Sequence, residues 1–180
     1  PDTIVVMTGY HSMRRPHETL ENSKADVVLR SNHVDFALRT LVPWIDEHDD
    51  WRSSCPAEGF VIRQDDTTFR DTGNFKQVEN LDLSPDVDRD LVQWKNYAYE
   101  NGNYLQLPGT YATSVVRDCM FGKCTFCRYN GPDLTFSLRS VEKSLDEYQR
   151  LIDDYGVREI FDDSGVWYRG KQARDFARGI

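Results

Sequence analysis

Apolar residues come in short continuous runs, separated by stretches with helical spacing. Thr3-Ile-Val-Val-Met7 and Ala25-Asp-Val-Val-Leu29 read as two buried strands, with a short helix between them around His17 to Asn22. Asn32 stands where a helix cap is expected. The apolar positions that follow it, Val34, Leu38, Leu41 and Ile45, keep helical spacing. Pro43 is expected to kink or shorten that helix. Continuous apolar strands alternating with helices imply a parallel sheet. Residues 1–50 are therefore read as the C-terminal part of a doubly wound, Rossmann-like α/β domain.

The pattern then changes. Gly59-Phe-Val-Ile-Arg63 and Thr67-Thr-Phe-Arg70 flank Gln64-Asp-Asp66 and predict a hairpin. From Asp71 to Asn103 the chain is polar, and Ser84-Pro85 is a candidate helix start. Residues 51–105 are read as a connector. A second α/β unit occupies 106–180. A strand over 111–116 leads into a cysteine-rich loop, and Asn130-Gly-Pro132 signals a turn. Ser140 caps a helix running from Val141 to Tyr155, with Val141, Leu145, Tyr148, Ile152 and Tyr155 as its apolar stripe. Lys143–Glu147 and Asp146–Arg150 are spaced for surface ion pairs, and Gly156 ends the helix. Val157-Arg-Glu-Ile-Phe161 is the next strand. Strand–helix–strand with polar residues after the strands fits an α/β barrel or open sheet, where sites form at the strands' C-terminal ends.

Composition narrows the function classes. The 180 residues carry a net charge of −8, which argues against a general nucleic-acid binder. The longest purely apolar run, Ile4-Val-Val-Met7, is too short to span a bilayer. Three of the four cysteines are bunched, which is not a disulfide framework and points to a reducing cytoplasm. The chain begins at Pro1 and ends inside an apparent helix, so a piece of a longer protein is expected.

The chemistry is concentrated in Cys119-Met-Phe-Gly-Lys-Cys124-Thr-Phe-Cys127. Three thiols on one polar loop suit a soft metal centre. They are one short of a closed tetrahedral site. An iron–sulfur cluster with one open iron is one reading. A non-catalytic zinc module is the other, and it needs a fourth ligand from Cys55, His33 or His48.

Together with Thr113-Ser114, Arg139-Ser140-Val141, Glu147 and Phe161-Asp162-Asp163, the cysteine motif resembles the opening of a radical S-adenosylmethionine domain. More narrowly, it resembles the branch with an N-terminal cobalamin-binding domain, whose last strands Pro1–His11 and Ala25–Arg30 are similar to. The resemblance implies the end of a cobalamin-binding-type domain, a connector, and the first β/α units of a partial TIM-type barrel. It implies that Cys119, Cys124 and Cys127 hold a 4Fe–4S cluster whose open iron binds S-adenosylmethionine, which one electron cleaves to methionine and a 5′-deoxyadenosyl radical. It assigns Phe126, Asp162 and Asp163 to S-adenosylmethionine, and Gly9 and His11 to the edge of a cobalamin site. It implies a small-molecule substrate, an electron donor such as a flavodoxin or ferredoxin, no nucleic acid and no membrane span. Methyl transfer or a ring rearrangement are the branch's usual outcomes; a methylthiotransferase-like radical enzyme without cobalamin is the alternative within redox chemistry. This chain departs from the pattern at three points. Its first cysteine gap is four residues where three is usual, with Gly122 inside it. Ser31-Asn-His-Val34 replaces a Gly-Glu-Gly-Glu-like stretch. The Asp-x-His-x-x-Gly cobalamin motif is absent from these 180 residues.

Overall fold

A computed structural model describes residues 3–75, 80–100, 104–113, 115–127 and 136–180. The chain forms two compact units, Pro1–Val78 with Met120–Thr135, and Glu79–Cys119 with Phe136–Ile180.

The first unit is built on a four-stranded sheet in the order β1 (Val6–Met7), β2 (Val27–Leu29), β3 (Phe60–Arg63), β4 (Phe69–Asp71). β1 and β2 are parallel, joined by the short helices α1 (Tyr10–Arg14) and α2 (Pro16–Glu21). The predicted hairpin forms, but β3 pairs antiparallel with β2, Val27 opposite Ile62 and Leu29 opposite Phe60. The sheet is therefore mixed, and the hairpin read as connector extends it. The period of two along β2 and β3 explains the join. Val27, Leu29, Phe60 and Ile62 enter one core with Ala37, Leu41, Trp51 and Cys55, while Val28 and Val61 enter another with Leu20 and Ala25. Pairing β3 on β2 covers an open strand edge and completes both faces.

Two helices pack beside this sheet, α3 (Val34–Glu47) and α4 (Trp51–Ser54). His33, not Asn32, is the N-cap residue of α3, and it makes no side-chain cap bond. Asn32 Nδ2 instead donates to the Tyr10 hydroxyl at 3.3 Å. Pro43 lies inside α3 without ending it.

The second unit opens on a 3-10 turn, Leu81–Leu83, which stops at Ser84, so no helix begins at Ser84-Pro85. The short helix α5 (Lys95–Ala98) follows. The expected strand over 111–116 is two pieces, β5 (Gly109–Tyr111) and β6 (Val116–Arg117). β6 pairs antiparallel with β7 (Ser137–Leu138). Helix α6 (Val141–Asp153) then leads to β8 (Glu159–Phe161), parallel to β5 with Gly109 opposite Glu159 and Tyr111 opposite Phe161. This is the β/α crossover unit the pattern implied. The chain closes on α7 (Gly170–Gly179). The Asn130-Gly-Pro132 turn lies outside the described residues.

Ser140 Oγ caps α6 by accepting the Lys143 N–H at 3.1 Å, and Gly156 follows the helix at φ +65°. The helix buries a wider face than the expected stripe: Val141, Leu145, Tyr148 and Tyr155 pack against the cores as expected, but Ser144, Glu147 and Leu151 join them and Ile152 does not. Neither predicted surface pair forms. Lys143 and Arg150 both reach Asp86, at 3.2 and 2.9 Å, and Glu147 turns inward. Among the described residues no helix is long and apolar enough to cross a membrane.

Candidate functional site

The cysteine loop leaves β6 through Asp118, which is buried in the left-handed conformation at φ +61°. Asp tolerates that region better than most residues. Gly122, inside the lengthened first gap, is also left-handed at φ +53°. The Cys127 N–H donates to the Cys124 carbonyl at 3.0 Å, so these two cysteines bound one tight turn. Cys119, Cys124 and Cys127 are half-buried thiols, and Phe126 between the last two is 92% exposed. Among the described residues no group of three or more His, Cys, Asp or Glu side chains is arranged to hold a metal ion. The donor set itself, three soft thiols, fits an iron–sulfur cluster, and a metal commonly draws such ligands together as it binds.

The fourth zinc ligands considered from the sequence are engaged elsewhere. Cys55 is fully buried among Trp51, Ala57 and Phe60. His33 is buried and stacks on Phe75. His48 lies flat on Trp44, ring centroids 3.7 Å apart, with its Nδ1 3.2 Å from the Trp44 carbonyl.

The two carboxylates after β8 have different surroundings. Asp163 is exposed. Asp162 faces inward, with Oδ1 accepting the Ser164 N–H at 2.8 Å, while Oδ2 is buried without a hydrogen-bond partner among the described residues. Burial raises the Asp162 pKa against the hydrogen bonds from Ser164 that lower it. Tyr148 is raised too, first by burial and then by the charge of Asp162. Ser164 accepts the N–H groups of Val115 and Val116 on its hydroxyl, at 2.8 and 3.4 Å.

Behind β5 lies a buried charge network. Glu147 Oε1 accepts from Arg89 at 2.8 Å and from the Thr113 N–H and hydroxyl at 3.2 and 3.1 Å. Arg139 donates to Oε2. The side chains of Glu147, Arg139 and Arg89 are only 4%, 2% and 8% exposed. Arg89 also donates to the Tyr111 carbonyl at 2.9 Å. Arg139 and Glu147 belong to the motif quoted from the sequence, but Arg89 was hidden in a polar connector. The same connector supplies Trp94 and Tyr97 to an aromatic hollow of about 570 Å³, completed by Tyr104 and Tyr111.

In the first unit, Gly9 follows β1 at φ +103°, exposed, with open space where a side chain would stand. His11 is exposed in the first turn of α1. The Tyr10–Asn32 hydrogen bond ties together the C-terminal ends of the parallel strands β1 and β2. Open α/β sheets bind ligands at such ends.

No family model matches the chain. It is 24% identical over 160 residues to the anaerobic magnesium-protoporphyrin IX monomethyl ester cyclase of Cereibacter sphaeroides, covering 87% of this chain and 24% of the cyclase. Two solved structures of the cobalamin-dependent S-adenosylmethionine radical enzyme OxsB match its fold. One holds aqua-cobalamin, the other aqua-cobalamin and S-adenosylmethionine. Both match with a TM-score of 0.62 at 16% and 15% identity, covering 98% of this chain and 24% of OxsB. The chain thus spans about a quarter of the proteins it matches. Its fold is similar to the corresponding part of a cobalamin-dependent S-adenosylmethionine radical enzyme, the family its sequence resembles.

Proposed function

We propose that this chain is the part of a radical S-adenosylmethionine enzyme that carries the cluster ligands, with Cys119, Cys124 and Cys127 holding a 4Fe–4S cluster. One observation supports this most: three thiols follow β6 inside a β5–α6–β8 crossover whose fold matches cobalamin-dependent S-adenosylmethionine radical enzymes. When bound, such a cluster supplies one electron that breaks the sulfonium–C5′ bond, leaving methionine and a 5′-deoxyadenosyl radical. The electron comes from a donor protein such as a flavodoxin or ferredoxin. The chain's own residues ligate and orient. Phe126, exposed beside Cys127, offers an apolar face and a backbone edge to S-adenosylmethionine. Asp163 offers an exposed carboxylate to its ammonium, while Asp162 props the turn beside it. Gly9 leaves open space at the end of β1, and with His11 it lines the edge offered to cobalamin. The reaction on substrate, methyl transfer or rearrangement, belongs to the whole protein.

Anaerobic reconstitution with iron and sulfide tests this reading. The protein should retain about four of each, the content of this cluster class. Replacing Cys119, Cys124 or Cys127 by Ala should strip the iron, whereas Cys55→Ala should keep it, because Cys55 is a core residue. Zinc retained in place of iron, or iron lost equally from Cys55→Ala, overturns the assignment.

A further inference from the structure

Strand pairing between β5 and β8 ends at Ala112, whose N–H donates to the Phe161 carbonyl at 2.9 Å. Beyond that point the backbone donors need new partners. Side chains supply them. Thr113 gives its N–H and its hydroxyl to Glu147 on α6. Val115 and Val116 give their N–H groups to the hydroxyl of Ser164, in the turn after β8. Ser164 is itself held through its N–H by Asp162, and Glu147 by two buried arginines. The Val115 carbonyl accepts at 2.9 Å from the backbone N–H of Arg139, the same residue whose guanidinium binds Glu147. Two elements that carry none of the clustered thiols thus grip the chain three to six residues before Cys119.

We propose that Glu147 and Ser164 are positioning residues that pin the root of the cysteine loop, so that Cys119 is presented from a fixed backbone. Only the meaning of Cys119 as a ligand rests on the function proposed above; the pinning does not. Both carboxylate and hydroxyl act through the backbone of Thr113, Val115 and Val116 and need touch no ligand. The pins also join the loop root to α6 and to the end of β8, so the loop answers to both elements.

The test uses Ser164→Ala and Thr113→Val, which each remove hydrogen bonds to the root and leave the Glu147 charge network paired. In the metal-free protein, amide exchange at Thr113, Val115 and Val116 and alkylation of Cys119 should speed roughly three- to tenfold, the range expected for loss of one net hydrogen bond. The amides of α6 should exchange as in the wild type. In reconstituted protein, iron should pass to a chelator faster in both variants by a similar factor. Equal acceleration throughout α6 would mean a general loss of stability, and unchanged rates at the root would mean that no pin exists; either result overturns the proposal. If the protein takes up no iron but the metal-free rates change as stated, the pin stands and the cluster assignment falls.

Discussion

The buried charge network of the second unit converges on one side chain, Glu147. Burial works to raise its pKa, but the hydrogen bond from Arg89, the charge and hydrogen bond of Arg139, and the Thr113 N–H outweigh burial and hold it below its ordinary value. A folded-state pKa below the unfolded one gives stabilisation that is complete above the unfolded value, about 4.3 for Glu. It is lost as pH falls through the folded value. Glu147→Gln should therefore flatten the acid side of the stability–pH curve. At pH 7 it should cost about 3 kcal/mol, because Arg89 loses its buried counter-charge and Arg139 is left, among the described residues, with Asp86 at 3.8 Å. Urea denaturation at neutral and acid pH checks this, and an unchanged acid slope would show that the network is not the acid-sensitive element. The sequence offered only a local partner for Glu147, Lys143 one turn away. Of its true partners, Arg139 stands 8 residues before it, and Arg89 is 58 residues distant in a segment with no periodic signal. Cys55, a candidate fourth zinc ligand from the sequence, is instead a fully buried core residue.

Helix α6 illustrates how far pattern reaches at the level of elements. Its ends were legible because Ser140 and Gly156 carry local chemistry that does not depend on the rest of the fold. The full width of its buried face was not. Leu145, Tyr148 and Tyr155 of the expected stripe pack against the cores, and Ser144, Glu147 and Leu151 widen that face by one position. The two arginines draw Glu147 inward. Helix α3 shows the opposite failure, a local rule overruled by packing. Pro43 is expected to kink or shorten it, yet the helix runs on to Glu47, where Leu41 behind Pro43 and the partly buried Trp44 and Ile45 after it face the core and hold the last turns in place. Pro43 is exposed, so replacing it leaves no cavity. Pro43→Ala should raise stability by about 2 kcal/mol, the helix-interior penalty of proline less the unfolded-state entropy that Ala restores. Thermal denaturation reads this directly, and a lower melting temperature would mean that a bend at Pro43 is required by the core.

At the scale of the whole chain, α/β architecture and the β5–α6–β8 crossover were legible from apolar runs and spacing, because each such run feeds a core. The assignment of the hairpin was not. Residues 60–71 look like a self-contained hairpin until β2 is seen to need a partner on its edge. The cysteine triplet stands out in the sequence by its spacing, the feature that the proposed cluster rests on. Its surroundings do not, since the pins at Thr113, Val115 and Val116 come from residues 34 to 49 positions away. The central claim is that three thiols hold a cluster with one iron left open for S-adenosylmethionine. Low-temperature EPR of the reconstituted, reduced protein, recorded before and after adding S-adenosylmethionine, tests it most directly. The account predicts a paramagnetic iron–sulfur signal whose g values shift when S-adenosylmethionine is added. A signal that S-adenosylmethionine leaves unchanged, or a silent protein that has bound zinc, would contradict it.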